Sequence, residues 1–218
     1  MTDADEPAGV ADDPGTGPVI DGGRGAGEGA PPDVPHWDDE YVDRVSDRLL
    51  SNYDLEKDYR VRGEVFPLYG QLSMTSHKQF LHPALSYARH DSAEHLFVRR
   101  VGSVTVAELE RLVALAHDLA DEWIVADEEH FGTEFTFALV VPAIPDEVRA
   151  FVADFSDRTL LKYGYYGHYE VNLVVVAPGR EAHVASEGAD VWRAFAPWAD
   201  TDGEQPGLID RLLGVLGR

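Results

Sequence analysis

The sequence contains no cysteine among its 218 residues. Disulfides, thiolate metal ligands and cysteine nucleophiles therefore play no part in its fold or chemistry. It also lacks an apolar run of the roughly 18 residues that a membrane-spanning helix needs. The N-terminus has neither the basic start nor the apolar segment of a signal peptide. Together these absences predict a cytoplasmic protein without a membrane segment.

Familiar enzyme signatures are missing as well. The sequence has no G-x-S-x-G nucleophile elbow and no HExxH zinc motif. The glycine-rich stretch at 22–29 lacks the Gly-Lys-Ser/Thr ending of a phosphate-binding loop. The 9 histidines are scattered, and their spacing does not combine two of them with a carboxylate in a metal site. We therefore expect no cofactor, no metal centre and no complete catalytic constellation.

Lysine is nearly absent, although charge is abundant. Lys57, Lys78 and Lys162 are the only lysines among 18 basic residues, and the 40 acidic residues give a net charge of -22. Abundant acids with few lysines resemble the proteins of salt-in halophilic archaea, where molar salt shortens the Debye length to about 3 Å. No basic stripe of the kind that binds nucleic acid is present.

Composition divides the chain into three parts. Residues 1–36 hold eight of the 20 glycines and six of the 13 prolines, which predicts a disordered acidic tail. Residues 37–198 carry the apolar periodicity of a single folded domain. Residues 199–218 form a polar hinge followed by an amphipathic helix, GLIDRLLGVLGR. Its leucine face could dock on a protein partner or on the domain itself.

Hydrophobic periodicity predicts an α+β or α/β fold with a mixed sheet of about five strands flanked by helices. The predicted order is α-β-β-β-α-β-α-β-α. The predicted elements are a helix at 38–53, a strand that changes phase at Pro67, strands at 80–87 and 95–101 separated by a turn near Asp91-Ser92, a helix capped by Thr105, a strand at 134–141, a helix after Pro145, and a long strand at 160–177.

The stretch KYGYYGHYEV at 162–171 is either a ligand-binding loop or an aromatic strand. As a strand it places Tyr163, Tyr165 and Tyr169 on a core-facing side, because alternate side chains share a face. The other face would then carry His168, Glu170 and Asn172. These three are close enough to converge on one ligand, but they could equally line a solvated surface. Alternation favours the strand, with these three as candidate ligand-binding residues.

The stretch DEEHFGTE at 127–134 places three acids and His130 just before a predicted strand. An acid beside a histidine can act as a general base, whereas a solvated charged loop has the same composition. The acidic character of the whole chain favours the loop.

The order helix, three strands, helix, strand resembles the core of the PD-(D/E)xK nuclease superfamily. That family needs an acid on its second strand and an E-x-K motif on its third. Here Asp91 falls in the predicted turn and the third strand begins Glu94-His95-Leu96, so the lysine is missing. The resemblance therefore implies a non-catalytic relative.

Residues 59–192 also resemble an uncharacterised prokaryotic domain family found in haloarchaea and some bacteria. The resembling stretches are SMTSHKQFLHPALSYARHDSAEHLFVRR, TEFTFALVV and LLKYGYYGHYEVNLVVV. This family has no established activity, so the resemblance implies membership without a mechanism.

Two functions remain open on the sequence. The first is a non-enzymatic module that binds a protein or a small ligand. The second is a divalent-metal-dependent hydrolase or degenerate nuclease that would use Glu94, His95, His168 and Glu170 around an ion. The missing catalytic motifs favour the binding module.

Overall fold

The computed structural model describes residues 35–78 and 88–199, with the backbone alone at 75–78 and 88–90. Every described residue belongs to one compact unit. The predicted acidic tail, except its last two residues, the predicted strand at 80–87 and the predicted C-terminal helix lie outside the described residues.

The described residues contain four α-helices and seven strands. In chain order they are α1 (Glu40–Leu49), β1 (Asp54–Val61), β2 (Glu64–Lys78), β3 (Ala88–Arg100), α2 (Val106–Trp123), β4 (His130–Val140), α3 (Asp146–Ala153), β5 (Asp157–Leu160), β6 (His168–Ala177), β7 (Ala182–Ala185) and α4 (Trp192–Phe195). The predicted α+β class with a mixed sheet is confirmed, but the sheet has seven strands rather than about five.

The sheet combines an antiparallel meander with a parallel centre. Its order is β1-β2-β3-β4-β6-β5, and β7 also pairs with β6. β1, β2 and β3 pair antiparallel, β3, β4 and β6 pair parallel, and the short strands β5 and β7 run antiparallel to β6. The parallel connections need crossovers, and α2 and α3 supply them.

Helices cover both faces of the sheet, so each face has its own core. One face packs against α2 and α3 and is rich in aromatic side chains, among them Phe97, Phe135, Phe137 and Tyr169. The other packs against α1 and α4 and is mostly aliphatic, with Leu68, Leu96, Val98, Val140 and Val174. Strands buried on both faces read as nearly continuous apolar runs, as β4 and β6 do at their C-terminal ends.

Helix α1 is shorter than the periodicity predicted. The Asp39 carboxylate caps it by accepting hydrogen bonds from the amides of Tyr41 and Val42, at 3.0 and 3.2 Å. It ends at Leu49, and Tyr53 lies in the turn before β1. Tyr53 keeps the helical spacing but packs on the same core from outside the helix.

The strand predicted to change phase at Pro67 is instead a hairpin. β1 and β2 are joined at Arg62 and Gly63, which have positive φ angles of 47° and 85°. A turn with two left-handed residues matches the twist of paired strands. The Arg-Gly pair was missed because arginine rarely adopts a positive φ.

The turn predicted near Asp91-Ser92 is wrong, because both residues lie inside β3. The strand begins at Ala88, well before the predicted start at 95. A shift in pairing with β4 occurs between Asp91 and Ser92, so the strand carries an irregularity where the turn was expected. Its polar N-terminal half has the composition of a turn but pairs with β2 throughout.

The helix starts predicted from capping signals are confirmed. Thr105 caps α2 by accepting a hydrogen bond from the Glu108 amide at 3.2 Å. The Glu108 carboxylate accepts a hydrogen bond from Arg99 at 3.0 Å. Pro145 precedes α3, which begins at Asp146.

Candidate functional site

The tyrosine-rich stretch is part loop and part strand. Residues 161–167, here called the tyrosine loop, begin with a 3₁₀ turn, and β6 starts only at His168. Tyr169 is buried in the aromatic core as predicted, with 8% exposure. Tyr163 and Tyr165 are 95% and 85% exposed, so their predicted core position is wrong.

Backbone conformation explains why the strand stops at the tyrosine loop. Lys162 and Tyr163 have positive φ angles of 46° and 60°, which interrupt the alternation of a strand. Gly164 and Gly167 are also left-handed, at 88° and 73°. Gly167 approaches Phe131 so closely that a Cβ atom there would lie 2.1 Å from the Phe131 carbonyl oxygen. The loop is therefore seated against the start of β4.

His168, Glu170 and Asn172 share one face of β6, as predicted. His168 Nε2 lies 3.4 Å from Glu170 Oε1, and Arg158 forms an ion pair with the same carboxylate at 3.2 Å. Burial and the nearby Arg158 lower the pKa of His168, which favours its neutral ring. Asn172 is 3% exposed and accepts a hydrogen bond from Ser186 Oγ at 3.2 Å.

Three glutamates lie side by side on the parallel strands of the same face. Glu94 of β3 is in register with Glu134 of β4, and Glu134 with Glu170 of β6. We call Glu94, Glu134 and Glu170 the glutamate row. Burial raises the pKa of Glu134 to about 7, and the neighbouring carboxylates add to the shift. Tyr53 donates a hydrogen bond to Glu94 Oε2 at 2.5 Å.

Glu134 was missed because it becomes a neighbour of Glu94 and Glu170 only through strand register. A single sequence indicates strands but does not state which residues pair across them. Glu94 and Glu170 were predicted as candidates, and Glu134 lies between them although hydrophobic periodicity could not identify it.

His95 lies on the opposite face from the glutamate row. It lines a cleft between the sheet and α2, whereas Glu170 and Asn172 border a separate cavity of about 230 Å³. His168 lines a third cavity, of about 370 Å³. Among the described residues, no group of three or more His, Cys, Asp or Glu side chains is arranged to hold a metal ion. The predicted candidates thus do not meet in one pocket.

The cleft that contains His95 is the largest of these cavities, with a volume of about 490 Å³. It opens where β3 and β4 begin and where α2 ends. We call it the aromatic cleft. Its lining includes the aromatic rings of Tyr59, Tyr69, His95 and Trp123. Polar residues (Gln71, Ser73, Asp91, Ser92 and Thr133) and aliphatic ones (Met74, Ile124 and Val125) also line it.

The aromatic side of the cleft is a continuous wall of packed rings. Tyr59 stacks on Tyr69 with ring centroids 4.0 Å apart and planes 14° from parallel. His95 meets Trp123 edge-on at 4.9 Å and stacks on Phe135 at 5.3 Å. Because these rings pack against one another and against the core, they form a rigid surface.

A hydrogen-bonded pair stands in this wall. The Tyr69 hydroxyl and His95 Nδ1 are 2.7 Å apart. Burial lowers the pKa of His95 to about 4 and raises that of Tyr69, so the imidazole is neutral and the phenol protonated at neutral pH. The neutral imidazole carries one N–H and the phenol one O–H, and one of these two donors forms the hydrogen bond between them. In either tautomer the pair offers one donor to a ligand.

His130 also borders the cleft, but both of its ring nitrogens are engaged. Nδ1 lies 2.7 Å from the Tyr166 carbonyl oxygen and so donates to it. Nε2 is 2.9 Å from the Thr133 hydroxyl. The imidazole therefore ties the tyrosine loop to β4 and is not a free general base. The solvated loop predicted for DEEHFGTE is confirmed only at 127–129, because β4 begins at His130 and Glu134 is partly buried in the sheet.

A mixed sheet with helices on both faces and a cleft at one end defines an α+β fold. A family model described as Domain of unknown function (DUF8052) matches residues 38–197, which is more than half of the 218 residues. The chain belongs to this family. The expected membership of an uncharacterised domain family is thereby confirmed.

Neither the curated proteins nor the solved structures include a significant match to the chain. The nuclease-like similarity is not shown by any of the comparisons. Within residues 35–78 and 88–199, no helix is long and apolar enough to cross a membrane. The predicted partner contact through the C-terminal helix falls outside the described residues and stays a prediction.

Proposed function

We propose that this domain is a non-enzymatic binding module that holds a small organic ligand in the aromatic cleft. The observation that carries this proposal is a cleft of about 490 Å³ lined by aromatic rings together with hydroxyl, amide and carboxylate groups. Small-molecule sites typically have volumes of about 300–1,000 Å³, apolar walls and a few placed polar groups.

The wall of the cleft favours a ligand with a planar apolar group. Tyr59 and Trp123 are only partly buried, so their faces and edges are available beside the fully packed core rings. An aromatic pair contributes about 0.5–1.5 kcal/mol beyond the area that it buries. A flat ring placed against Tyr59 would extend the stack that Tyr59 and Tyr69 already form.

The polar groups favour a ligand with a hydrogen-bond acceptor at the edge of that planar group. The Tyr69–His95 pair supplies one donor, and its position within the wall would fix the orientation of the ring. Ser92 and Thr133 also line the cleft. A heteroaromatic ring with a carbonyl or ring nitrogen has this combination of properties.

The same groups are poorly suited to proton transfer at neutral pH, which supports binding over catalysis. A general acid or base works best with a pKa near the operating pH. The pKa of His95 is about 4, and both nitrogens of His130 are hydrogen-bonded to protein. The ligand is therefore expected to leave the cleft unchanged.

A thermal-shift screen of the full chain against planar heteroaromatic compounds tests this proposal, followed by calorimetry on any compound that raises the melting temperature. Tyr59→Ala should weaken binding by at least about tenfold, which is about 1.4 kcal/mol. Tyr165→Ala removes an equal side chain outside the cleft and should leave affinity unchanged. Equal affinity in both variants would exclude the cleft as the site.

The alternative function is a divalent-metal-dependent hydrolase centred on the glutamate row. The observation in its favour is that Glu134 lies in register between two further carboxylates. This function requires their side chains to move, because no such group among the described residues is arranged to hold a metal ion. Calorimetric titration with Mg²⁺ and Mn²⁺ separates the two functions. Binding that Glu134→Gln abolishes would support the hydrolase, and no heat in the wild-type chain would support the binding module.

We also propose that the domain works in the cytoplasm of a halophilic organism. The net charge of -22 and the near absence of lysine support a salt-rich environment.

A further inference from the structure

The tyrosine loop and its neighbours expose an apolar patch. Phe131, Leu160, Tyr163 and Tyr165 are 53%, 58%, 95% and 85% exposed. We call these four the tyrosine-loop patch. They make up half of the eight large hydrophobic side chains that are exposed in the described part of the chain. Tyrosine and phenylalanine are enriched at protein interfaces, where they bury large areas with few rotatable bonds.

The loop that carries the patch is held in one shape. His130 tethers it through the Tyr166 carbonyl, and the Leu161 amide donates to the Gly167 carbonyl at 3.0 Å. Two successive non-glycine residues, Lys162 and Tyr163, are kept at positive φ. Residues in sparsely populated conformations persist where the surrounding structure enforces them. A preorganised loop loses little conformational entropy when a partner covers it.

Exposed side chains of both charge signs lie beside the patch, so its surroundings do not match a partner surface that carries only one sign. Lys162 is exposed and has no ion-pair partner among the described residues. Glu128 and Glu129 are exposed in the adjoining loop and likewise have no ion-pair partner within residues 35–78 and 88–199. Glu128 and Tyr165 line the same cavity of about 370 Å³.

We propose that two copies of this chain associate through the tyrosine-loop patch as a two-fold symmetric dimer. In such an interface each surface meets its own copy, so a patch must be complementary to itself. Apolar rings satisfy that condition, and Lys162 of one copy can face Glu128 or Glu129 of the other. The segment 158–169 contains no Asp or Glu, so the acids at this surface are those of the adjoining loop 127–129, which Lys162 of the other copy can offset.

Salt should strengthen this dimer. Screening reduces the repulsion between two highly acidic chains, because the Debye length falls from about 10 Å at 0.1 M to about 3 Å at 1 M ionic strength. The apolar contact is not weakened by screening. Sedimentation equilibrium of the full chain should therefore give twice the monomer mass in molar KCl and a shift toward monomer on dilution into low salt.

Substitutions in the patch identify the surface. The double variant Tyr163→Ser/Tyr165→Ser should be monomeric in molar KCl. At low salt, where the wild-type chain is also monomeric, the two should have the same melting temperature, since both side chains are exposed. Val65→Thr, at another exposed apolar position, should remain dimeric. At the lowest KCl concentration at which the wild-type chain is still dimeric, Lys162→Glu should raise the dissociation constant severalfold, and Lys162→Glu/Glu128→Lys should recover part of the loss. In molar KCl the same substitutions should have little effect, because screening removes the charge pair.

Two results would overturn the proposal. A wild-type chain that stays monomeric at every concentration in molar KCl has no such dimer. A dimer that persists in the double tyrosine variant uses another surface. Neither result bears on the aromatic cleft, because the ligand titration and the mass measurement are independent.

Discussion

Tyr165 and Tyr169 belong to the same tyrosine-rich stretch but have opposite environments. Tyr169 packs edge-on against Phe135 in the core, and its hydroxyl lies 2.9 Å from His117 Nδ1. His117 in turn contacts Asp157 at 3.1 Å, so Tyr169 joins α2, β5 and β6. Tyr165 is 85% exposed.

Replacing each tyrosine by alanine should separate these roles. Tyr169→Ala should lower the free energy of unfolding by about 3–5 kcal/mol, because a large buried aromatic leaves a cavity. Tyr165→Ala should change it by no more than about 0.5 kcal/mol, as exposed positions usually do. Urea denaturation at a fixed KCl concentration measures both. Similar losses in the two variants would show that the strand begins earlier than His168.

Glu134 gives the domain a pH dependence with a definite sign. Burial raises its pKa in the folded chain to about 7, above its ordinary value of 4.5. Between these two values the folded state binds more protons than the unfolded state, so stability falls as pH rises. The destabilisation from this group is absent at low pH and complete above about pH 7.

Glu134→Gln should remove that destabilisation. We expect a gain of the order of 1–2 kcal/mol at pH 8, after allowance for solvent screening, which fades as pH approaches 5. Melting temperatures of wild type and variant across this range measure the effect. Glu56→Gln, the same change at an exposed position on β1, should show no such trend. A gain that does not depend on pH would mean that Glu134 is uncharged throughout.

At the scale of elements, the position of the tyrosine loop against β4 depends on the close approach of Gly167 to the backbone of Phe131. Gly164 and Gly167 both have positive φ, yet a Cβ atom at Gly164 would meet nothing within 4 Å. A Cβ atom at Gly167 would lie 2.1 Å from the Phe131 carbonyl oxygen, which is backbone and cannot rotate away.

Gly164→Ala and Gly167→Ala should therefore differ. The first should cost about 1–2 kcal/mol, the price of a left-handed non-glycine residue. The second adds the clash and should also release the loop from β4. Thermal melting measures the cost, and hydrogen exchange at the Leu161 amide reports whether the loop has moved. Equal losses with unchanged exchange would mean that the contact with Phe131 does not hold the loop.

The elements that carry local signals could be predicted from the sequence. Thr105 and Pro145 mark helix starts chemically, and the alternation in β4 is strong. The break between β5 and β6 could not be predicted, because it depends on left-handed Lys162 and Tyr163, residues that seldom adopt that conformation. The glutamate row and the aromatic cleft arise from pairing between distant strands, so composition and spacing could indicate only some of their members.

At the scale of the whole molecule, charge dominates. Forty acidic residues against 18 basic ones repel one another in dilute buffer and destabilise the compact state. The melting temperature should rise with KCl, steeply at first, because the Debye length falls from about 10 Å at 0.1 M to about 3 Å at 1 M. Calorimetry across this series measures the trend.

Melting temperatures at different KCl concentrations must be compared on a monomeric chain, since dimer formation would also respond to salt. The Tyr163→Ser/Tyr165→Ser variant supplies that control. An identical melting temperature in dilute buffer and in molar KCl would remove the support for a salt-adapted protein.

The central position of β4 has a consequence for how the chain is made. β4 pairs on one side with β3, which precedes it by a whole helix, and on the other with β6, which follows a second helix. Two parallel strands can pair only after the segment that connects them has been synthesised, and contacts between residues far apart in sequence form slowly. On the ribosome, the far edge of β4 therefore stays open until residues 168–177 have emerged. The strand that completes the centre of the sheet is among the last to be translated, and an unpaired apolar strand is the part of a nascent chain most prone to aggregate.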